Sequence, residues 1–194
     1  MSGATENSRM IAFTVTLIVA AITYGLVAAR RADAQAASPE RAQPSSRRGT
    51  APTIGAYRLD MMARATSRFV ELSQAEKQAL NLVVEFKNER VFHAPPADYG
   101  GFKWDVVLGA VDDRVYKISS VLFLQTRATR DAAWRKIEGL LRAPLGSPAS
   151  STPAVLIWDT EDGNVVLNRA DAGDAYALVL TLTSSAVKGF ARVK

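Results

Sequence analysis

The spacing of apolar positions changes several times along the chain, and each change predicts a different element. Met10–Ala29, MIAFTVTLIVAAITYGLVAA, holds no charge in 20 residues. At 1.5 Å rise per residue such a run spans roughly 30 Å, the thickness of a bilayer's hydrocarbon core. From Leu59 to Leu72 the positions Leu59, Met62, Ala63, Phe69, Val70 and Leu72 approximate one helical face and predict a helix. Ser73 and Glu76 form a capping-box pair, which predicts a second short helix to about Leu80. Leu82, Val84 and Phe86 then alternate with Val83, Glu85 and Lys87, a strand period. Pro95-Pro96 and Gly100-Gly101 bracket an expected loop.

The clearest alternation follows. Trp104, Val106, Leu108 and Ala110 share one face before Asp112-Asp113, and Tyr116, Ile118, Ser120, Leu122 and Leu124 alternate back, which predicts a β-hairpin. Thr129 is the expected N-cap of the next helix, with Asp131 in its first turn against the helix dipole. Ala133, Trp134, Ile137, Leu140 and Leu141 form its apolar stripe, and Pro144 and Gly146 end it. Val155–Trp158, a turn at Glu161–Asn164 and Val165–Leu167 predict a second hairpin. Tyr176, Leu178, Leu180 and Leu182 predict a last strand.

Segregated hairpins without parallel crossovers imply an α+β fold: an antiparallel sheet of two hairpins plus flanking strands, helices on one face, preceded by a single N-terminal transmembrane helix. The expected divisions are a short tail at 1–9, an anchor at 10–29, a linker at 30–53 and a globular domain at 54–194 that reads as a degenerate two-fold repeat. The linker, Arg30–Thr53, has three prolines, no aromatic residue and no apolar period, so it cannot bury enough surface to offset its chain entropy. Over Gly55–Ser184 the order of elements resembles the small duplicated helix-plus-hairpin domains of bacterial envelope proteins, such as BamE-like or β-lactamase-inhibitor-like modules. That resemblance rests on element order alone and transfers no functional residue.

Charge and composition narrow the function. Formal net charge is +5, but residues 1–54 hold six Arg against three acids, so the rest of the chain is nearly neutral. No basic stripe with groove-reading elements stands out, and nucleic acid is set aside as a partner. Cysteine is absent, which removes disulfides, thiolate metal sites and Cys nucleophiles. Arg-rich, Ala-rich usage suggests a GC-rich bacterial coding sequence.

The apolar run has two competing readings. Ala34-Gln35-Ala36 before Ala37 fits a signal cleavage site, but the run exceeds the usual signal core of about 7–15 residues and an Arg30-Arg31 pair intervenes, so an uncleaved anchor is the reading adopted. Its orientation also has two sides. The positive-inside count, with Arg9 before and Arg30, Arg31 and Arg41 after, favours a cytoplasmic C-terminal domain. The Ala/Ser/Pro/Gln-rich stretch resembles exported bacterial proteins. An extracytoplasmic domain on the inner membrane is expected, with a secreted form or a cytoplasmic domain as alternatives. Ala21, Gly25 and Ala29 form a small-residue stripe, a candidate helix contact in lipid, although an Ala-rich helix also produces one by chance.

Candidate chemistry is sparse. His93 is the lone histidine and more naturally sits at a strand end than in a catalytic or zinc site. Asp159, Glu161 and Asp162, with Asp171 and Asp174 nearby, are the densest acidic region, which hairpin turns explain better than a cation site. Tyr99 and Phe102 beside Gly100-Gly101 are candidate partner contacts, and equally candidates for covering a sheet edge. Trp104, Trp134 and Trp158 read as core. No catalytic residue, cofactor or metal is assigned. The function implied is a membrane-anchored, non-catalytic binding or accessory module of the bacterial envelope, whose partners are the bilayer and an envelope or membrane protein. The alternative is an envelope enzyme with a carboxylate-based hydrolytic site at Asp159 or Glu161.

Overall fold

Eight strands among the described residues form one antiparallel sheet. The computed structural model describes residues 49–64, 68–79, 82, 86–172 and 175–186. Within them lie β1 (Val70–Glu71), α1 (Gln74–Ala79), β2 (Glu89–Tyr99), β3 (Phe102–Val111), β4 (Arg114–Leu124), α2 (Arg127–Leu145), β5 (Ser150–Ser151), β6 (Val155–Asp159), β7 (Gly163–Ala172) and β8 (Ala175–Ser184). Among the described residues the architecture is mostly β, with two helices. Each half of the sheet runs from edge to centre, β1 to β4 and β5 to β8, and β4 meets β8 in the middle. Both edges are strands of only two residues, a device that limits edge-to-edge pairing.

The predicted hairpins form where the alternation placed them. β3 and β4 pair Leu108 with Ile118 and Val106 with Ser120, around Asp112 and Asp113, whose φ of 51° and 61° suit a two-residue hairpin turn. A bulge interrupts the register, because Gly109 faces Lys117 while Ala110 faces Val115. One extra residue reverses the side-chain phase. Val115 therefore enters the main core, and Tyr116 turns to the other face against Phe86 and Val111, contrary to the uninterrupted alternation expected from Tyr116 to Leu124. The second hairpin, β6 with β7, continues into β8. At its turn Gly163 has no substitute: a Cβ there would lie 1.8 Å from the Thr183 carbonyl oxygen.

Several expectations are corrected. The helix over Leu59–Leu72 does not form in its described part. Asp60 N–H donates to Val115 O and Ala63 N–H to Asp113 O, while Val115 N–H donates to Met61 O, so this segment pairs with β4 and ends in strand β1 at Val70–Glu71. The expected loop before Gly100 is the 11-residue strand β2, which carries Pro95 and Pro96 through a bulge between Ala94 and Ala97. Two residues without N–H are tolerated there because β1 pairs only as far as Val70 opposite His93. His93 is thus mid-strand and exposed, not at a strand end. The strand expected over Leu82–Phe86 lies mostly outside the described residues, and Phe86 packs against Tyr116 with ring centroids 5.1 Å apart.

The capping box of α1 forms as read. Ser73 N–H donates to Glu76 Oε2 at 2.7 Å and Glu76 N–H to Ser73 Oγ at 3.3 Å. The N-cap of α2 lies three residues before the expected one: Thr126 caps the helix and exchanges hydrogen bonds with Thr129. Asp131 accordingly falls beyond the first turn and loses its dipole role. Pro144 sits inside the last turn, and Gly146, at φ 75°, caps the helix.

The main core lies between one face of the sheet, α2 and the N-terminal segment from Ile54 to Ala63. Ala133, Trp134, Ile137, Leu141 and Leu145 point into it, and burying each of the larger ones is worth about 1.5–3 kcal/mol. All three tryptophans are buried, as read. Leu140, expected in the stripe, is instead 43 % exposed at the rim.

Candidate contact surface

The outward side of α2 and the β2–β3 turn meet at one end of the sheet. Gly100 and Gly101, at φ 63° and 76°, make the turn, and a Cβ on Gly100 would strike the Ile137 and Leu140 methyls. Tyr99 and Phe102 flank it, both half-buried against the core. The Tyr99 carbonyl accepts from Trp104 Nε1 at 3.0 Å, and burial lifts the Tyr99 phenol above its ordinary range. Lys136 Nζ lies 5.2 Å from the Phe102 ring centroid. Leu140 stands exposed beside them. Arg127, Arg135, Lys136 and Arg142 all reach solvent from α2, with Arg142 paired to Glu138 at 2.8 Å.

On its inner edge the helix is pinned by a charged network the sequence did not reveal. Arg130 is 5 % exposed; its Nη1 donates to Asp171, and its Nε and Nη2 donate to Asp131 Oδ1 at 3.1 and 2.9 Å. Arg169 Nη1 reaches the same Asp131 oxygen at 3.4 Å and its guanidinium lies 4.3 Å over Trp134. Two cations and two carboxylates meet here, with Arg169 Nε buried and unbonded, and the network fixes α2 on β7. The Arg130 hydrogen bond, followed by Arg130 and Arg169 charge, holds the Asp131 carboxyl below the usual range. A depressed carboxyl contributes fully above its unfolded pKa and loses that contribution as pH falls through its folded value. Wild type is therefore expected to lose thermal stability below about pH 4. Arg130→Gln should be less stable at neutral pH and show a shallower acid decline, read from melting curves across that range.

Other sequence-selected residues are dispersed. Asp159, Glu161 and Asp162 lie at the β6–β7 turn, whereas Asp171 is near the opposite end of β7 and belongs to the Arg130 network. Asp174, Ala21, Gly25 and Ala29 lie outside the described residues. Among the described residues, no three His, Asp or Glu side chains come together in a way that could hold a metal ion, and no helix is long and apolar enough to cross a membrane.

A buried carboxylate was also missed. Glu89 Oε1 accepts from the Tyr116 hydroxyl at 2.7 Å and Oε2 from Phe86 N–H at 3.2 Å. It borders a small, open pocket of about 20 Å³ with Lys117 and Ser119 on its wall. Oε1 thus ties β2 to β4, while Oε2 holds the turn that leads into β2, which makes Glu89 a cross-link of the second face. Its partners are 27 and three residues away, and only the distant one depends on the β4 bulge. Comparison with protein-family models, curated proteins and solved structures finds no match for this chain.

Proposed function

We propose that this chain is a membrane-anchored, non-catalytic docking module of the bacterial envelope, held in the inner membrane by Met10–Ala29 with its C-terminal domain on the extracytoplasmic side. The observation that carries the reading is the 20-residue uncharged run followed by an Ala/Pro-rich tether. The half-buried Tyr99 and Phe102 supply a candidate contact area for an envelope or membrane protein. Ala21, Gly25 and Ala29 supply a candidate contact within the bilayer.

Affinity purification of the full chain from native membranes in mild detergent tests the docking role. A stoichiometric partner is expected. Gly25→Leu should release it if the helix stripe makes the contact, and Tyr99→Ala with Phe102→Ala should release it if the turn does. Elution of the wild type without a partner, together with turnover of an envelope substrate that Asp159→Ala or Glu161→Ala abolishes, would replace this reading with the enzymatic one.

A further inference from the structure

Helix α2 holds the net positive charge of residues 55–194. It carries five cations against two acids, a net +3, while the remainder of residues 55–194 sums to −1. Arg130 faces inward, but Arg127, Arg135, Lys136 and Arg142 are exposed. At 100° per residue Ala132, Gly139 and Ala143 lie along the middle of the outward side, all exposed, with Arg135 and Arg142 on one flank and Lys136 and Leu140 on the other. Small residues between cationic flanks let a helix lie close to a charged plane while long side chains reach to either side.

The chain enters the domain at this helix. Gly49 lies so close to the last turn of α2 that a Cβ would be 2.6 Å from the Pro144 oxygen and 3.3 Å from a Leu145 methyl. Residues 30–48 have a contour of at most about 65 Å, so an anchor ending at Ala29 keeps α2 near the bilayer surface.

We propose that the outward side of α2 rests on anionic lipid headgroups of the membrane that anchors the chain, with Arg135, Lys136 and Arg142 facing phosphates and Leu140 reaching the interface. Charge complementarity and the tether's point of entry select this occupant. The proposal rests on the anchoring reading and adds the orientation of the domain. Attraction to an anionic surface falls with salt, because the Debye length shrinks from about 10 Å at 0.1 M to about 3 Å at 1 M.

The chain has no native cysteine, so single labels are clean. The full chain, as Ala132→Cys or Lys87→Cys carrying an environment-sensitive dye, is incorporated into nanodiscs of phosphatidylcholine alone or mixed with phosphatidylglycerol. Quenching by headgroup-proximal spin-labelled lipid is then measured. The position-132 dye is expected to be quenched in the anionic discs, to lose that quenching in high salt or with Arg135→Glu and Lys136→Glu, and to stay unquenched in neutral discs. The position-87 dye should remain unquenched throughout. Absence of quenching at 132, or equal quenching in neutral and anionic discs, would overturn the proposal. Failure of the full chain to co-elute with any disc counts against the anchor instead. Flotation of that chain with phosphatidylglycerol vesicles but not phosphatidylcholine vesicles would then still support the α2 surface, and no flotation with either would overturn it.

Discussion

Trp104→Ala is expected to destabilise the domain by about 3–5 kcal/mol, the range for deleting a fully buried aromatic side chain. Trp104 has no exposed surface and packs on the helix-facing side of the sheet with Val106 and Leu108. Its partner across β2 is Ala97, the first residue after the proline bulge, so the indole supports the strand where β2 resumes its register. The substitution removes that packing and also strands the Tyr99 carbonyl that accepts from Nε1. Trp104→Phe separates the two effects: it keeps most of the apolar volume and loses the hydrogen bond, for about 1–3 kcal/mol. Urea unfolding of the three proteins checks the ordering. A loss below about 1 kcal/mol for the alanine variant would contradict the described core.

Glu89→Ala has the second largest expected effect, about 2–4 kcal/mol, because it leaves two donors in buried surroundings without their acceptor. The Tyr116 hydroxyl and Phe86 N–H both point at this carboxylate, and Glu89 N–H returns a bond to Phe86 O at 3.1 Å. Glu89→Gln should recover part of the loss, since an amide offers one acceptor oxygen where the carboxylate offered two. Glu71→Ala is the contrasting case. Its carboxylate meets Arg90 at 2.7 Å with both side chains about one-third exposed, so solvent screening leaves well under about 1 kcal/mol. Equal effects at positions 89 and 71 would show that burial does not distinguish the two carboxylates.

How far the fold could be read in the sequence depended on whether each element's signal was local. The β3–β4 hairpin and β8 announce themselves by strict alternation, and the capping box of α1 lies within four residues. β2 was illegible because Pro95 and Pro96 read as a loop, and only the two-residue extent of β1 frees that stretch of edge to accommodate them. Leu59, Met62 and Ala63 imitate a helical face by spacing, yet Asp60 has φ 64° and the Asp60 and Ala63 N–H groups bond to Val115 and Asp113, at least 50 residues away. The reversed facing of Tyr116 follows from one extra residue in a bulge that nothing in the local pattern marks. Thr129 reads as the cap in the sequence, but Thr126 takes that position, with Thr129 as its reciprocal hydrogen-bond partner.

The candidate surface was legible in the same uneven way. Tyr99 and Phe102 stood out because aromatic residues flank a Gly-Gly pair, but Leu140 and Lys136 join them only through the packing of α2 on that turn. Arg130 with Asp171 and Glu89 with Tyr116 are 41 and 27 residues apart, and their pairing is a product of strand order. The charge of α2 was countable from the outset. Its outward grouping required knowing that Arg130 turns inward while Arg135, Lys136 and Arg142 do not.

Met10–Ala29 is proposed to hold this domain at a membrane. The most direct test is alkaline carbonate extraction of bacterial membranes carrying either the full chain or a version lacking residues 10–29. The full chain is expected in the extracted membrane pellet and the shortened chain in the supernatant. Recovery of the full-length, uncleaved chain in the supernatant would contradict the anchor.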